Sequence, residues 1–448
     1  MKTGRKLFGT DGIRGIAGQA PLDPITIYAT GLALGHSFKT ASPTVILGRD
    51  TRESGPWIAA TLAAGLRTAG ARVESAGVVT TPAVALLTRK HGYSAGVVLS
   101  ASHNPWQDNG IKLFGADGFK LPDAVELAME EEILHHASSA TVPETLPEIT
   151  DNDDLRKEYI EFLLSAVSGL NLSGLRLVAD CANGAAATIA PELFRRLGCD
   201  ASLLNISPNG RNINDRCGAL HPSHVAEEVV ARGAALGVTF DGDADRCLLA
   251  GSSRNVINGD AILLVVARDL KARGMLTGDL VVATTMSNMG LEAALKRSGI
   301  RMLRAAVGDR YVLEEMQKSN AALGGEQSGH ILLPHLATTG DGLLTALVVL
   351  DLIVRSGKSI EELTADLKVF PQVIVNVKVR EKKPLESIPS VAASIHAAEL
   401  DLQDSGRVVI RYSGTEKLAR VMIEAESEAT MRHHADAIAG AIRAEIGE

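Results

Sequence analysis

A serine, three alternating carboxylates and a few arginines are the residues of this chain whose types and spacing could do chemistry. Ser102 lies in Ala101-Ser102-His103-Asn104-Pro105, directly after the apolar run Ala95-Gly96-Val97-Val98-Leu99. That is the pattern of a buried strand delivering a loop at its carboxyl end, where ligands bind in open α/β sheets. Pro105 restricts Asn104, so the hydroxyl is expected on a stiffened turn, as a displayed nucleophile. Taken alone, Ser, His, Asn and Pro describe an ordinary turn as well. Two further loops shift the balance.

Asp241, Asp243 and Asp245 alternate directly behind the apolar run Gly237-Val238-Thr239-Phe240. On an extended loop their carboxylates would project to one side, and oxygen donors with no His or Cys beside them suit a hard cation such as Mg2+. Three negative charges against a buried strand are unfavourable without a counter-ion, which favours a metal over a solvated acidic turn. An EF-hand is excluded, because Arg246 and Ser252 stand where that loop needs Gly and Glu. Arg246 could help neutralise a phosphoryl group, so serine, Mg2+ and arginine together make a phosphoryl-transfer set.

The third loop, Gly325-Glu326-Gln327-Ser328-Gly329-His330, offers Glu326 and Ser328 at alternating positions to a hydroxyl-rich ligand. Glu326 stands two before Ser328, so this is not the G-x-S-x-G elbow of a serine hydrolase. His330 is a proton carrier or a packed imidazole. Near the end, Arg411-Tyr412-Ser413-Gly414-Thr415-Glu416, with Arg420 after it, has the make-up of an anion nest. At the start, Leu7 to Gly15 reads as a glycine-rich loop in which Arg14 could clamp a phosphate. Two phosphate sites far apart in sequence would hold one end of a sugar phosphate while the other reacts. A metal-dependent phosphatase and a non-catalytic sugar-phosphate-binding protein are the competing readings.

Positioning these loops takes a repeated scaffold. Strands are expected at Val45–Leu47, Ala71–Glu74 and Val97–Leu99, then at Leu175–Asp180, Ala201–Leu204 and Gly237–Phe240, then at Leu280–Ala283, Arg301–Leu303 and Ala321–Leu323. Helical stretches alternate with them, the one at Tyr311–Lys318 capped by Asp309. The expected fold class is α/β: three related βαβαβ domains and a smaller C-terminal α+β domain around a central cleft. Composition shifts place the domains at 1–150, 151–252, 253–368 and 369–448, the last serving as a phosphate-binding lid.

Composition narrows the function. The 448 residues exceed a single core. A formal charge of -8 without a dense Lys/Arg block argues against nucleic acid. The N-terminus lacks the apolar core of a signal peptide, and the apolar segment Leu343–Val354 is too short to span a membrane, so a cytoplasmic location is expected. The four cysteines lack C-x-x-C spacing and suit small buried roles.

In their order, Ser102-His103-Asn104-Pro105, Asp241-Gly242-Asp243-Ala244-Asp245-Arg246, Gly325 to His330 and Arg411 to Thr415 resemble the α-D-phosphohexomutase superfamily over the whole chain. The resemblance implies a phosphoserine at Ser102 and Mg2+ on Asp241, Asp243 and Asp245 with Ser102. It implies His103, Lys112, Arg14 and Arg246 as catalytic groups, sugar contacts from Glu326, Ser328 and His330, and phosphate held by Arg411, Ser413, Gly414, Thr415 and Arg420. It further implies a phosphate shift on a hexose by way of a bisphosphorylated sugar, such as glucosamine 1,6-bisphosphate. Gln327, the opening Leu7 to Gly15, Pro208-Asn209-Gly210, Asn212-Ile213-Asn214 and Cys217-Gly218 point to the members acting on glucosamine phosphate, with glucose or mannose phosphate as the alternative. A homodimer is compatible with the resemblance. Ala244 and Lys417 depart from the Gly and Pro frequent in relatives, and neither change removes a proposed ligand.

Overall fold

The strands demanded by the apolar runs are present, and one arrangement of them occurs three times. The computed structural model describes residues 6–9, 11–413 and 417–448, so Thr10, Gly414 and Thr415 lie outside the described residues. The first sheet contains β1 (Phe8–Gly9), β2 (Gly12–Ile16), β3 (Thr44–Arg49), β4 (Arg72–Val78), β5 (Ala95–Leu99) and β6 (Asp108–Gly115), in the order β1-β2-β6-β5-β3-β4. The second contains β7 (Arg176–Asp180), β8 (Asp200–Leu204), β9 (Leu236–Phe240), β10 (Cys247–Gly251) and β11 (Val256–Ile257), in the order β11-β10-β9-β7-β8. The third contains β12 (Leu280–Thr284), β13 (Arg301–Ala305), β14 (Leu323–Gly325) and β15 (Ile331–Leu332), in the order β13-β12-β14-β15.

The sheets share the core orders β4-β3-β5-β6, β8-β7-β9-β10 and β13-β12-β14-β15. The inner strands β5, β9, β10 and β12 are buried at every residue, as sheets covered on both faces require. The βαβαβ expectation needs one addition. After the third parallel strand of each repeat the chain returns antiparallel, as β6 on β5, β10 on β9 and β15 on β14. Each candidate loop is therefore the turn between a buried strand and its return, tied at both ends. The return strands escape periodicity analysis because β15 is only two residues long and β6 is nearly continuously buried.

Local expectations are corrected in four places. The opening segment is not a loop: β1 and β2 pair, and β2 adds to β6 through Arg14↔Gly110. Asp309 does not cap its helix, which starts at Asp309 with Gly308 as N-cap. The strand expected at Ala321–Leu323 runs instead from Leu323 to Gly325. The Asp241–Asp245 segment is a tight turn, closed by Ala244 N donating to Asp241 O at 3.1 Å, and not an extended stretch. Ala244 sits at φ +54°, a conformation that costs an alanine more than a glycine.

Met1–Thr285 with Leu303–Thr364 forms one compact unit, and Met286–Met302 with Ala365–Glu448 forms a second. The second carries a three-stranded antiparallel sheet, β16 (Gln372–Lys378), β17 (Gly406–Tyr412) and β18 (Leu418–Ala425), in the order β16-β18-β17. Val377, Val391, Val421, Ile423, Ile438 and Ile442 form its core with the helices Pro389–Leu402 and Glu428–Ile446. Within it, Glu424 is fully buried and accepts from Met289 N at 2.8 Å and Arg407 Nε at 2.6 Å. Cys181, Cys217 and Cys247 are buried free thiols and Cys199 is partly exposed. No helix among the described residues is long and apolar enough to cross a membrane.

Candidate active site

The first two loops meet in the first compact unit. Ser102 Oγ donates to Asp241 Oδ2 at 2.5 Å and lies 3.3 Å from His103 Nδ1. Ser102 is only 1% exposed, so its hydroxyl is not displayed to solvent; it faces the carboxylates. The close approach depends on Gly242, where a Cβ would come within 2.5 Å of Ser102 O. Crossed strand ends thus bring residues 139 apart in sequence into contact.

Asp241, Asp243 and Asp245 are buried, with one ligand oxygen from each lying within 4.8 Å of the others. Asp243 Oδ1 and Asp245 Oδ1 are buried without a hydrogen-bond partner. Buried, unpartnered carboxylate oxygens and an all-oxygen donor set fit Mg2+. Burial first, then the Asp245 and Asp243 carboxylates, push Asp241 up to about 8. Asp245 is held low in spite of burial, by Lys112 and then His330.

A closed ring of alternating charges runs through Asp245 along one side of the triad. Lys112 Nζ lies 2.8 Å from Asp243, 3.4 Å from Asp245 and 3.0 Å from Asp11. Asp11 reaches Lys120 at 2.5 Å, Lys120 reaches Asp309 at 2.6 Å, and His330 closes the ring at 3.4 Å to Asp309 and 3.6 Å to Asp245. Asp11, Asp243 and Asp245 raise Lys112 well above its usual range against the opposing effect of burial. His330 is pushed up to about 8 by Asp245 and Asp309, again against burial. His103 is lowered by burial first, then by Arg246 and Arg14, so its ring is neutral near pH 7. Arg246 Nη1 is 3.3 Å from His103 Nδ1. Arg14 pairs with Asp11.

A cavity of about 470 Å³ opens on this ring, lined among others by Arg14, His103, Arg246, Asp309, Glu326 and His330. Glu326 is nearly buried, accepting from Gly308 N at 3.0 Å and from Ser328 Oγ at 3.3 Å, while Ser328 is exposed. Ser102, Lys112, Arg14, Arg246, the triad, Glu326, Ser328 and His330 therefore all belong to one compact unit. Sequence reasoning missed Asp11, Lys120, Asp309 and Thr81, whose hydroxyl donates to Asp243. Asp11 lies inside the opening that reads as a phosphate loop and Asp309 reads only as a helix cap, while a single lysine or threonine carries no local signal.

In the second unit, Arg411 and Arg420 are direct cross-strand partners on β17 and β18. Ser413 is buried, its N donates to Leu418 O at 2.8 Å, and its O accepts from Lys382 Nζ at 2.5 Å. Gly414 and Thr415 lie outside the described residues.

Family models for phosphoglucomutase/phosphomannomutase match the chain in sequence: α/β/α domain I at 5–140, domain II at 157–253, domain III at 258–370 and the C-terminal domain at 374–441. The chain belongs to this family, the phosphohexomutases, whose members are isomerases. It is 60% identical to a phosphoglucosamine mutase of Koribacter versatilis, over 99% of this chain and 98% of that protein. It is 52% identical to a phosphoglucosamine mutase of Solibacter usitatus, over 99% of this chain and 100% of that protein. Among solved structures, a phosphoglucomutase/phosphomannomutase family protein from Burkholderia thailandensis shares the fold with a TM-score of 0.79 at 24% identity, covering 98% of this chain and 99% of that one.

Proposed function

We propose that this enzyme interconverts glucosamine 6-phosphate and glucosamine 1-phosphate, in the route to UDP-N-acetylglucosamine, through a phosphorylated Ser102 and glucosamine 1,6-bisphosphate. The observation that carries the reading is full-length identity of 52 to 60% to phosphoglucosamine mutases. The Ser102–Asp241 contact inside a buried triad supports it.

Mg2+ held by Asp241, Asp243 and Asp245, with Ser102 as a further ligand, would supply charge neutralisation at the transferring phosphoryl group. The protein's own groups do the rest. A sugar hydroxyl attacks phosphorus, the new P–O bond forms as the bond to Ser102 Oγ breaks, and the hydroxyl's proton ends on Ser102 Oγ. His103 Nδ1, neutral and 3.3 Å away, is placed to pass it. Lys112, Arg14 and Arg246 bear on the phosphoryl oxygens. After the bisphosphorylated sugar reorients, its other phosphate returns to Ser102 by the same exchange.

Glu326, Ser328 and His330 hold the sugar. Arg411, Ser413, Gly414, Thr415 and Arg420 hold the phosphate that is not reacting. Arg411 and Arg420 stand directly opposite on neighbouring strands, so an anion held there would meet two guanidinium groups. Residues 369–448 act as a phosphate-binding lid that limits hydrolysis of the phosphoserine. The enzyme works in the cytoplasm, as a monomer or a homodimer.

The test is turnover of glucosamine, glucose and mannose 6-phosphates by the purified protein with Mg2+, together with its intact mass. The reading expects the amino sugar to be converted fastest and a phosphate adduct that Ser102→Ala removes. Faster conversion of glucose or mannose phosphate would overturn the substrate assignment. Release of free phosphate as fast as isomerisation would make the enzyme a phosphatase.

A further inference from the structure

Ser102 stands at φ +53°, a left-handed conformation unfavourable for a serine. In this turn the carbonyls of Ser102, Asn104, Pro105 and Asp108 each take a side-chain donor. One side chain answers all four. Arg52, fully enclosed, donates through Nη2 to Ser102 O at 2.9 Å and Asn104 O at 2.8 Å, and through Nη1 to Asp108 O at 2.9 Å and to Pro105 O. Its Nε donates to Asp50 at 2.8 Å. Asp50 also accepts from Ser100 Oγ at 2.6 Å, and Ser100 Oγ accepts from Ser102 N at 2.9 Å.

The second domain grips the same loop from the other side. Asn214 Nδ2 donates to Ser102 O at 2.9 Å and Asn104 O at 3.2 Å, while its own N donates to Ala182 O at 2.9 Å. Nearby, the Arg211 guanidinium lies 4.9 Å over the Trp106 ring and its Nε donates to Glu53 at 2.6 Å. The asparagine-rich segment after Pro208 is thus a brace across the domain boundary.

We infer that Arg52 and Asn214 are positioning residues: a two-sided clamp on the loop carbonyls that holds Ser102 Oγ against Asp241. Neither touches the hydroxyl or the triad. Arg52 is already charge-paired with Asp50, so the planar fork is what matters, and a lysine cannot reproduce it. The inference rests on Ser102 being the nucleophile, but not on which hexose is preferred.

Arg52→Lys and Asn214→Asp test it, assayed on whichever hexose phosphate the parent converts fastest. The second variant keeps the side chain's size while setting a carboxylate against two carbonyls. If the clamp positions Ser102, kcat falls about 100-fold for Arg52→Lys, on the scale of a displacement of about 1 Å, and about tenfold for Asn214→Asp. KM stays within about threefold in both, thermal midpoints confirm folding, and hydrolysis of the phosphoserine rises relative to transfer. Should Arg52→Lys not fold, Asn214→Asp decides. A folded Asn214→Asp protein with the parent's kcat and the parent's ratio of hydrolysis to transfer overturns the inference. So does a loss of kcat that merely follows the fraction of protein folded. Failure of the parent to prefer glucosamine phosphate would count against the substrate reading alone.

Discussion

The Ser102 loop and the Glu326–His330 loop occupy equivalent places, each turning a buried parallel strand into an antiparallel return. They are stabilised by different groups. The first is held from outside, its carbonyls taken by Arg52 and Asn214, with its serine 1% exposed. The second is held by backbone donors: within the turn Gly329 N donates to Glu326 O at 3.0 Å and Glu326 N to His330 O at 2.9 Å, from outside it Gly259 N donates to Gln327 O and Cys247 N to Gly329 O, both at 3.0 Å, and Ser328 is left exposed. The difference fits the proposed roles: a loop that makes and breaks bonds must be fixed to a fraction of an ångström, whereas one that binds hydroxyls needs only donors and acceptors open to the cavity. Shared topology sets where the loops lie; packing around them sets what each can do.

The largest expected effect breaks the comparison on the first side. Ser102→Ala should lower turnover by at least about 10⁴-fold while calorimetry shows sugar-phosphate affinity nearly unchanged. Substantial residual turnover would mean that the two loops do not divide chemistry from recognition. Glu326→Gln should sharpen the other side. Losing a charged acceptor for a sugar hydroxyl is worth about 1.5–3 kcal/mol, so KM should rise by about ten- to 150-fold, with a smaller change in kcat. A large fall in kcat at constant KM would reverse the assignment.

The smallest effect concerns the support behind the second loop. Asp341 caps the helix Gly342–Ser356, accepting from Leu344 N at 2.9 Å and Tyr159 Oη at 2.7 Å, and burial pushes it up to about 6. Its value in the unfolded chain is about 3.9. The folded form therefore holds the proton more tightly, and this contribution is full below about pH 4 and lost as pH rises through 6, on the order of 2–3 kcal/mol. Asp341→Asn has no such titration, so its thermal midpoint relative to the parent should climb between pH 4 and 7. A difference that stays flat with pH would contradict the assignment.

Much of the site was legible because loop chemistry is written in short, contiguous stretches. Ser102, the three aspartates and Glu326 each follow an apolar run that packing makes a buried strand. The return strands were not legible, since two residues of β15 carry no period. Nor was the Asp241 turn, where alternation suggested an extended stretch but Ala244 adopts φ +54°.

The order of residues by itself determined the repeated α/β scaffold, the donor set for a hard cation and the placing of a serine after a buried strand, because these depend on local periodicity and residue type. Only the tertiary structure decided that Ser102 faces Asp241 instead of solvent and that Lys112, Asp11, Lys120, Asp309, His330 and Asp245 close into one ring. It also turned Arg52, indistinguishable in sequence from a surface arginine, into the enclosed support of the Ser102 loop. Such contacts join residues tens to hundreds of positions apart, and no local rule reports which buried charges will share a low-dielectric space.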